Sequence, residues 1–262
     1  MLLFINPIAQ LRQYITRIWL FQNDYGLPEN NLIAPNARPK VILPFIGSIT
    51  TSSSAKSKTV SENGIYFIGV RDVPVALTTP RSRCGSIGIE FTTQGAYKFF
   101  RQPMHHMVND LFSFEDCFGR EGQELQQEIR TIASPYDKIG RLQTFLLATL
   151  KATNRFNAVV DFSIDLITKT HGLTEVKELE RKTGYTKRYI DLLFREHLGI
   201  SPKTLSTIIR FQSIYKLTSS IEKGSIYDLY YDESHFIREF KRYTGYSPTR
   251  FASLRNDFGR HF

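Results

Sequence analysis

Two cations and one carboxylate stand near the start of an amphipathic segment that spans residues 186–205. Lys187, Arg188 and Asp191 fall outside its helical stripe of apolar residues, which comprises Ile190, Leu193 and Phe194. An arginine guanidinium is a planar fork of donors that matches O6 and N7 of guanine with two hydrogen bonds, worth roughly 1–3 kcal/mol of discrimination. These residue types therefore predict recognition of nucleic-acid bases, with a merely solvated basic helix face as the alternative.

The same pattern occurs a second time, over residues 232–251. Four identical pairs are each separated by 46 positions (240 − 194 for the first): Phe194 and Phe240, Gly199 and Gly245, Ser201 and Ser247, Pro202 and Pro248. A repeated short unit implies two copies of one supersecondary element. Glycine favours the end of a helix and Ser-Pro the start of the next, so each copy predicts a helix, a turn and another helix.

A helix-turn-helix places its second helix in the major groove of DNA and uses the first as a brace. In the first copy the brace would end at Gly184, and Thr186 would cap the reading helix. A long helix over residues 202–217 then spaces the copies, so the two reading helices would meet successive major grooves about 34 Å apart. We call residues 174–205 the first unit and residues 225–251 the second unit.

Positive charge is concentrated in the same part of the chain. The net charge is +9; residues 151–262 hold 19 Lys and Arg against 13 Asp and Glu, hence +6, and the other residues hold 15 against 12, hence +3. Cationic surfaces attract phosphate polyanions through counterion release. The charge distribution therefore favours a nucleic-acid partner for the repeated units.

The part of the chain before the repeat is rich in short β-type runs. Residues 41–43 predict a short buried strand bounded by Pro39 and Pro44, and residues 64–70 and 85–91 predict two further short strands. Residues 73–77 predict an edge strand because they contain a proline. The Ser/Thr-rich residues 47–62 predict a polar loop. Short strands separated by turns indicate an antiparallel sandwich or barrel.

Helical spacing replaces the β pattern from residue 94 onwards. Leu125, Ile129 and Ile132 predict one helix, and Ser134-Pro135 opens another that continues to residue 150. These two helices would pack on the β core or cover a dimer face. The polar residues 151–157 predict a linker, so we expect an α+β protein with a β-rich domain (1–150) followed by an all-α domain (158–262).

Residues 158–252 resemble the DNA-binding domain of the AraC/XylS family of bacterial transcription regulators. The resemblance rests on Gly184-Tyr185, on LFREHLGISP (residues 193–202) and above all on SHFIREFKRYTGYSP (residues 234–248). It implies a seven-helix domain that binds double-stranded promoter DNA and contacts RNA polymerase. Residues 1–150 resemble, more weakly, the cupin-like sensing or dimerisation domains that precede it in this family.

The resemblance also implies which residues read DNA. The family's base-reading positions fall here on Lys187, Arg188, Asp191, Glu233, Ser234, His235 and Arg238. Phosphate contacts are expected from Thr186, Arg195, Lys203, Arg210, Lys241 and Arg242. Binding through several phosphates would fall steeply with salt.

The second unit departs from the family pattern just before its reading helix. In the first unit Leu179 is followed by four residues and then Gly184, whereas Leu229 runs directly into Tyr230. About four or five residues are therefore missing, which is about one helical turn. Either the deletion is real and weakens DNA binding, or the written sequence omits residues. A further interpretation is that the shortened brace still packs and nothing is lost.

Catalytic and metal chemistry have little support in the sequence. His105 and His106 are adjacent in the sequence, so their rings are expected to point in different directions. Asp110 lies nearby, but no third histidine occurs at a spacing that suits a metal site. Cys84 and Cys117 form no disulfide framework, which favours a reducing cytosol, and Cys117 is expected to be a buried, inert thiol. No glycine-rich phosphate loop occurs. We therefore expect no metal, no cofactor and no enzymatic activity.

Neither a membrane span nor a secretory signal is expected, because no apolar run reaches ~18 residues and the opening residues lack a basic region.

The leading hypothesis is a cytoplasmic, sequence-specific DNA-binding transcription regulator whose N-terminal domain senses a small molecule or forms a homodimer. The alternative is a ligand-binding or protein-interaction protein whose DNA binding is impaired by the gap after Leu229. An enzyme that uses the β domain lacks a catalytic constellation.

Overall fold

Two antiparallel β-sheets form the N-terminal part of the chain in the computed structural model, which describes residues 1–27, 31–53, 56–80, 82–153, 155–215, 229–254 and 259–261. The larger sheet has the strand order β1-β2-β9-β4-β7-β10, and the smaller has β3-β8-β5-β6. The strands are β1 (Leu2–Ile5), β2 (Ile15–Asn23), β3 (Asn31–Ile33), β4 (Lys40–Ile46), β5 (Ile49–Ser52), β6 (Ser57–Val60), β7 (Tyr66–Ile68), β8 (Val75–Thr78), β9 (Cys84–Phe91) and β10 (Leu111–Ser113). The predicted antiparallel β architecture is confirmed.

Strand β9 is the centre of the larger sheet. It pairs with β2 on one side and β4 on the other, and all of its residues are buried. Gly88 lets the indole of Trp19 lie directly on the strand, because a Cβ at this position would stand 1.7 Å from the ring. The run also buries one charged residue, Glu90, which requires partners inside the protein.

Within the stretch 47–62, where a loop was predicted, Ile49–Ser52 and Ser57–Val60 pair as the antiparallel strands β5 and β6. The paired residues Thr50 and Thr59 are joined by their hydroxyls at 2.8 Å, and Ser52 and Ser57 by theirs at 3.2 Å. Threonine has a high β propensity, and cross-strand hydroxyl contacts stabilise a hairpin. The polar composition concealed this strand pair because it is partly exposed to water.

Two expectations that rested on prolines were wrong. Strand β4 continues through Pro44, where the pairing with β9 shifts register before Ile46 and so accommodates the missing N–H. Strand β8 begins at Val75, after Pro74, and lies between β3 and β5 rather than at an edge.

Helices follow the sheets. Their bounds are α1 (Phe114–Phe118), α2 (Arg120–Thr131), α3 (Pro135–Ala152), α4 (Ala158–Lys169), α5 (Val176–Thr183), α6 (Lys187–His197), α7 (Pro202–Tyr215), α8 (Glu233–Thr244) and α9 (Pro248–Ser253), with 3-10 turns at Ala9–Leu11, Ala96–Lys98, Met104–Met107 and Gly259–His261. The Ser134 hydroxyl caps α3 ahead of Pro135, as predicted. Helices α2 and α3 bury Leu125, Leu142 and Leu146 in the core of the larger sheet, so the predicted core packing is confirmed.

The helices from α4 onwards share a second hydrophobic core, and the sequence repeat has a structural counterpart there. Thr186 caps α6 and Asp232 caps α8, again 46 positions apart (232 − 186). Phe194 and Phe240 are both fully buried in this core. The two copies therefore fold alike from their caps to their phenylalanines.

Candidate nucleic-acid interface and ligand cavity

The first unit is a tightly joined pair of helices, α5 and α6. Gly184 ends α5 with a φ of 76°, a left-handed conformation that glycine adopts without strain. The Thr186 hydroxyl accepts the N–H of Tyr189 at 3.4 Å, and the Glu180 carboxylate on α5 accepts the N–H of Lys187 at 2.6 Å. The brace thus supplies a second cap and fixes the start of α6.

One face of α6 is anchored, and the other is open to solvent. Ile190 and Phe194 are fully buried and Leu193 is 7% exposed, which confirms the predicted apolar stripe. Lys187 and Arg188 are exposed, whereas Asp191 is half-buried. The residues that line the open surface groove along this face are Thr186, Lys187, Arg188, Tyr189, Asp191, Leu192 and Arg195.

Two exposed residues of this groove were not among the predicted readers, Tyr189 and Leu192. Tyr189 stacks on Tyr185 with 4.9 Å between ring centroids, and Leu192 is 60% exposed. Helical spacing could have found Leu192, because it lies one turn after Arg188 and three residues before Arg195.

In the second unit, α8 presents a different set of side chains. The Asp232 carboxylate accepts the N–H of His235 at 2.7 Å and caps the helix. Of the predicted readers, Glu233, Ser234 and Arg238 are exposed, while His235 is half-buried. The His235 ring lies 3.6 Å from the carboxylate of Glu239, so it faces partly along its own helix.

Arg210 does not lie among the exposed cations, although it was predicted to contact phosphate. Its guanidinium on α7 donates to both carboxylate oxygens of Glu239 on α8, at 3.2 and 3.0 Å. The two side chains are 19% and 9% exposed. Arg210 also lies 5.1 Å from the ring centre of Tyr230, whose pKa is raised by burial. Its role here is to hold α7 and α8 together.

The other predicted phosphate contacts are at the surface. Arg195, Lys203, Lys241 and Arg242 are exposed, as is Thr186. These residues come from both units and from the start of α7.

The gap after Leu229 adjoins a part of the chain that the structure does not describe. The bracing segment expected over residues 225–228 lies outside the described residues. Leu229 is half-buried, and Tyr230 is 3% exposed with its ring 5.4 Å from Phe236. Tyr230 therefore packs directly against the reading helix.

A buried carboxylate in the N-terminal part gathers three cations. Glu90 on β9 is inaccessible to solvent, and its oxygens lie 3.3 Å from Arg17, 3.0 Å from Arg38 and 3.6 Å from Lys40. The Asn36 amide also donates to it at 3.3 Å. Burial acts to raise the pKa of Glu90, but the three cations hold this pKa below its ordinary value. The cluster carries a net excess of positive charge.

Lys40 is the member of this cluster that lines both cavities between the sheets, and Arg38 lines one of them. Burial, aided by Arg38 and Arg17 and opposed by Glu90, lowers the pKa of Lys40 to about 8. Two cavities of about 50 and 60 Å³ lie beside it. The residues that line both are Ile33, Lys40, Thr51, Ile68 and Leu77. The larger cavity is otherwise mainly apolar, with Trp19 and Phe21 in its wall.

The wall of the smaller cavity touches the helical part of the chain. Ala34 and Pro35 line this cavity. Ala34 and Ala37 belong to the second hydrophobic core, and the Gln212 amide on α7 donates to the Pro35 carbonyl at 2.6 Å. A polar cleft of about 350 Å³ lies alongside, between Arg17, Arg38 and their neighbours on one side and α7 residues on the other. The segment 34–38 thus joins cavity, cation cluster and α7.

A second junction holds the C-terminal end of α6. The Tyr97 hydroxyl lies 3.1 Å from the Glu196 carboxylate, and its ring stacks on His197 with 3.8 Å between centroids. Arg155 covers the Tyr97 ring at 3.7 Å. The first reading helix is therefore attached to the β-rich part at its far end.

The sequence carried little signal for these contacts. Glu90 and Lys40 are charged residues within β runs, which could have marked a buried ion pair, but their partner Arg17 is distant in the chain. Segment 34–38 contains Ala37 with a φ of 55°, which no composition rule predicts for alanine.

Within the described residues, no group of three or more His, Cys, Asp or Glu could hold a metal ion. Asp110 is paired with Lys56 and Lys58 at 2.8 and 2.6 Å. Cys117 is buried, as predicted, and burial raises the pKa of its thiol to about 12, with a smaller contribution from Asp116.

No helix in the described part of the chain is both long and apolar enough to cross a bilayer.

Solved structures share this fold. ToxT from Vibrio cholerae is 13% identical and aligns over 89% of this chain and 98% of its own, with a TM-score of 0.51. ToxT from Vibrio cholerae O395 bound to (E)-4-(8-methylnaphthalen-1-yl)but-3-enoic acid is 14% identical, with the same coverage and a TM-score of 0.50. The chain therefore has the α+β fold of ToxT, which confirms the expected fold class.

At the level of sequence, residues 3–113 match a family described as a domain of unknown function, DUF6597. No protein of curated function matches the chain.

Proposed function

We propose that this chain is a sequence-specific DNA-binding transcription regulator that responds to a small molecule. The observation that carries the proposal is the pair of reading helices, each capped at an equivalent position and each anchored by a buried phenylalanine. Both expose polar or charged side chains over their first turns. This is the arrangement in which a helix enters the major groove with its N-terminal residues at base edges.

The base contacts are assigned to the exposed face of each helix. In the first unit these are Lys187, Arg188 and Asp191, of which Arg188 suits a bidentate contact to guanine. In the second unit the assigned residues are Glu233, Ser234, His235 and Arg238. Phosphate contacts are assigned to Thr186, Arg195, Lys203, Lys241 and Arg242.

The test of DNA binding is selection from a pool of random duplexes at moderate salt, followed by sequencing. We expect a two-part site whose halves lie about 10 base pairs apart, with an apparent affinity that falls steeply as salt rises. The double variant Lys203→Ala/Lys241→Ala should reduce the salt slope by about two without changing the selected sequence. Failure to enrich any sequence would overturn the proposal.

A second candidate function follows from the gap after Leu229. If the gap after Leu229 disables the second unit, the chain is a ligand-binding or protein-interaction protein, or a reader of one half-site. The observation that bears on this alternative is the direct packing of Tyr230 on Phe236. Enrichment of a single half-site would support the alternative in which the second unit does not bind DNA.

The effector is proposed to be a small carboxylic acid with an apolar body. The inter-sheet cavities have apolar walls on one side, and Lys40 with Arg38 on the other. ToxT has been solved with an aryl-butenoic acid bound, a ligand of this chemical class. Ligand sites usually enclose about 300–1,000 Å³, so the two cavities would have to join and widen on binding.

Widening would move segment 34–38, because Ala34 and Pro35 form part of the cavity wall. This segment contacts α7 through Gln212, and α7 sets the spacing of the two units. Occupancy of the cavity would thereby shift how the reading helices are presented. Gln212→Ala should weaken the effect of the acid on DNA affinity more than it weakens the binding of either ligand.

The effector proposal is tested by calorimetry with (E)-4-(8-methylnaphthalen-1-yl)but-3-enoic acid as the probe. Affinity should fall between pH 7 and 9, because Lys40 loses its proton as pH rises through its pKa of about 8 while the acid stays ionised. Lys40→Met should bind more weakly at pH 7 and show a flatter pH profile. Binding of the probe's primary amide with equal affinity would contradict the assigned role of the cations.

The remaining assignments follow the family resemblance and belong to the same proposal. They are a division into a sensing domain (1–150), a linker (151–157) and a DNA-binding domain (158–262), a cytoplasmic location, contact with RNA polymerase, and homodimer formation. Size-exclusion chromatography with light scattering tests the last of these.

A further inference from the structure

Leu192 is an exposed apolar side chain in the middle of a basic helix face. It is 60% exposed on α6, next to Leu193 and Phe194, which are 7% and 0% exposed and fix the backbone. Arg188 lies one turn before it and Arg195 lies three residues after it, and both are exposed. Leu192 is therefore held in the centre of the surface that would face DNA.

The internal repeat relates this position to Arg238, a base reader assigned in the second unit. Leu192 corresponds to Arg238 in the second unit, because 238 − 192 is the same offset of 46 that relates the helix caps and the phenylalanines. Arg238 is exposed on the equivalent face of α8. If the second unit reads a base at this position, the first unit presents a leucine to the same place in its own half-site.

The methyl group that the major-groove edges of base pairs present is the 5-methyl group of thymine. A leucine can neither donate nor accept a hydrogen bond, so a cytosine amino group or a guanine carbonyl opposite it would lose its water without compensation. Contact with a methyl group instead buries apolar surface on both sides. We propose that Leu192 reads the methyl group of a thymine in the site bound by the first unit; the inference rests on the proposed DNA-binding function.

The helix geometry also places that thymine. The Cβ atoms of residues four apart on a helix are about 5–6 Å apart, and successive bases along one strand are about 3.4 Å apart. Leu192 and Arg188 therefore contact base pairs that are one or two steps apart. We expect the thymine within two base pairs of the guanine assigned to Arg188.

The experiment uses the full chain and the selected duplex, with each thymine replaced in turn by deoxyuridine, which lacks only the methyl group. The unmodified protein should lose about fourfold in affinity at one thymine of the first half-site, the equivalent of roughly 0.8 kcal/mol for one buried methyl group. Leu192→Ala should bind the thymine and uracil duplexes equally at that position. Arg188→Ala should keep the thymine preference and lose the neighbouring guanine.

A second variant separates specificity from general loss of affinity. Leu192→Gln supplies the amide that pairs with adenine, so repeated selection should change the preferred base at that position alone. Because Leu192 is mostly exposed, both variants should unfold at the temperature of the unmodified protein.

The outcomes are distinct. If the protein binds DNA but no thymine-to-uracil replacement matters, or if Leu192→Ala retains the full effect, the assignment of Leu192 is wrong while the proposed function stands. If no duplex is bound, the proposed function fails and the assignment fails with it.

Discussion

The two units share a repeat but stabilise their reading helices in different ways. In the first unit, Glu180 on the brace α5 accepts the N–H of Lys187 at the start of α6. In the second unit, the contacts at the start of α8 within the described residues come from its own cap Asp232 and from Tyr230. A buried ion pair of Arg210 and Glu239 then joins α8 to α7.

The exposed faces differ as well. The first turn of α6 begins with Lys187 and Arg188, whereas the equivalent residues of α8 are Glu233 and Ser234. A carboxylate at a helix N-terminus stabilises the helix but repels phosphate. On the proposed function, the first unit would make the stronger electrostatic contact with DNA, whereas the placement of the second would depend on the internal ion pair.

Removing Glu239 should have the largest effect. Glu239→Ala leaves the guanidinium of Arg210 mostly buried without its carboxylate, which we expect to cost roughly 3 kcal/mol of unfolding free energy. The second half-site should then vanish from the selected DNA while the first remains. Denaturant unfolding and repeated selection measure the two effects.

Glu233→Gln is the matched control, because it removes a carboxylate from the exposed start of the same helix. It should change stability by no more than about 0.5 kcal/mol. Replacing both partners, in Glu239→Leu/Arg210→Met, should restore most of the lost stability, since an apolar pair of similar volume avoids the desolvation cost. Equal destabilisation by Glu233→Gln would show that the ion pair is not what places α8.

Arg188→Ala should have the next largest effect and tests the difference between the reading faces. Loss of a bidentate contact should cost about 1–3 kcal/mol in binding and remove the preference for one guanine. Ser234→Ala, the equivalent change in the second unit, should cost less because a hydroxyl makes at most a single neutral hydrogen bond to a base edge. Titration of the selected duplex by fluorescence anisotropy measures both, and a larger loss for Ser234→Ala would reverse the assigned roles.

The sequence predicted the helical part well because its signals are local. The signals are the helix caps, the glycines that end helices and the apolar stripe of Ile190 and Phe194. Each depends on residues only a few positions apart. The repeat at an offset of 46 shows these signals a second time. The same spacing identified Arg188 as exposed. Periodicity does not reveal that an arginine pairs across the fold, so Arg210 was assigned to phosphate although it is held by Glu239.

The cation cluster beside the inter-sheet cavities could not be predicted because it is made of distant contacts. Glu90, Arg17 and Lys40 come from three strands, and their meeting depends on strand order and register rather than on local pattern. The strand pair within residues 47–62 was missed for a related reason. Its threonines and serines predict a loop by composition, whereas β5 pairs with both β6 and β8, which satisfies its backbone groups.

The smallest expected effects come from the helix caps. Asp232 accepts the N–H of His235 at 2.7 Å, and Asp232→Ala should cost about 1 kcal/mol because the carboxylate also favours the positive end of α8. Thr186 accepts at 3.4 Å in α6, where Glu180 already satisfies a neighbouring N–H, so Thr186→Ala should cost only about 0.5 kcal/mol. Thr186→Ala combined with Glu180→Ala should cost more than the sum of the single changes, because each cap compensates for loss of the other. Additive costs in denaturant unfolding would mean that the brace and the cap act independently. The start of α6 would then be held no more firmly than the start of α8.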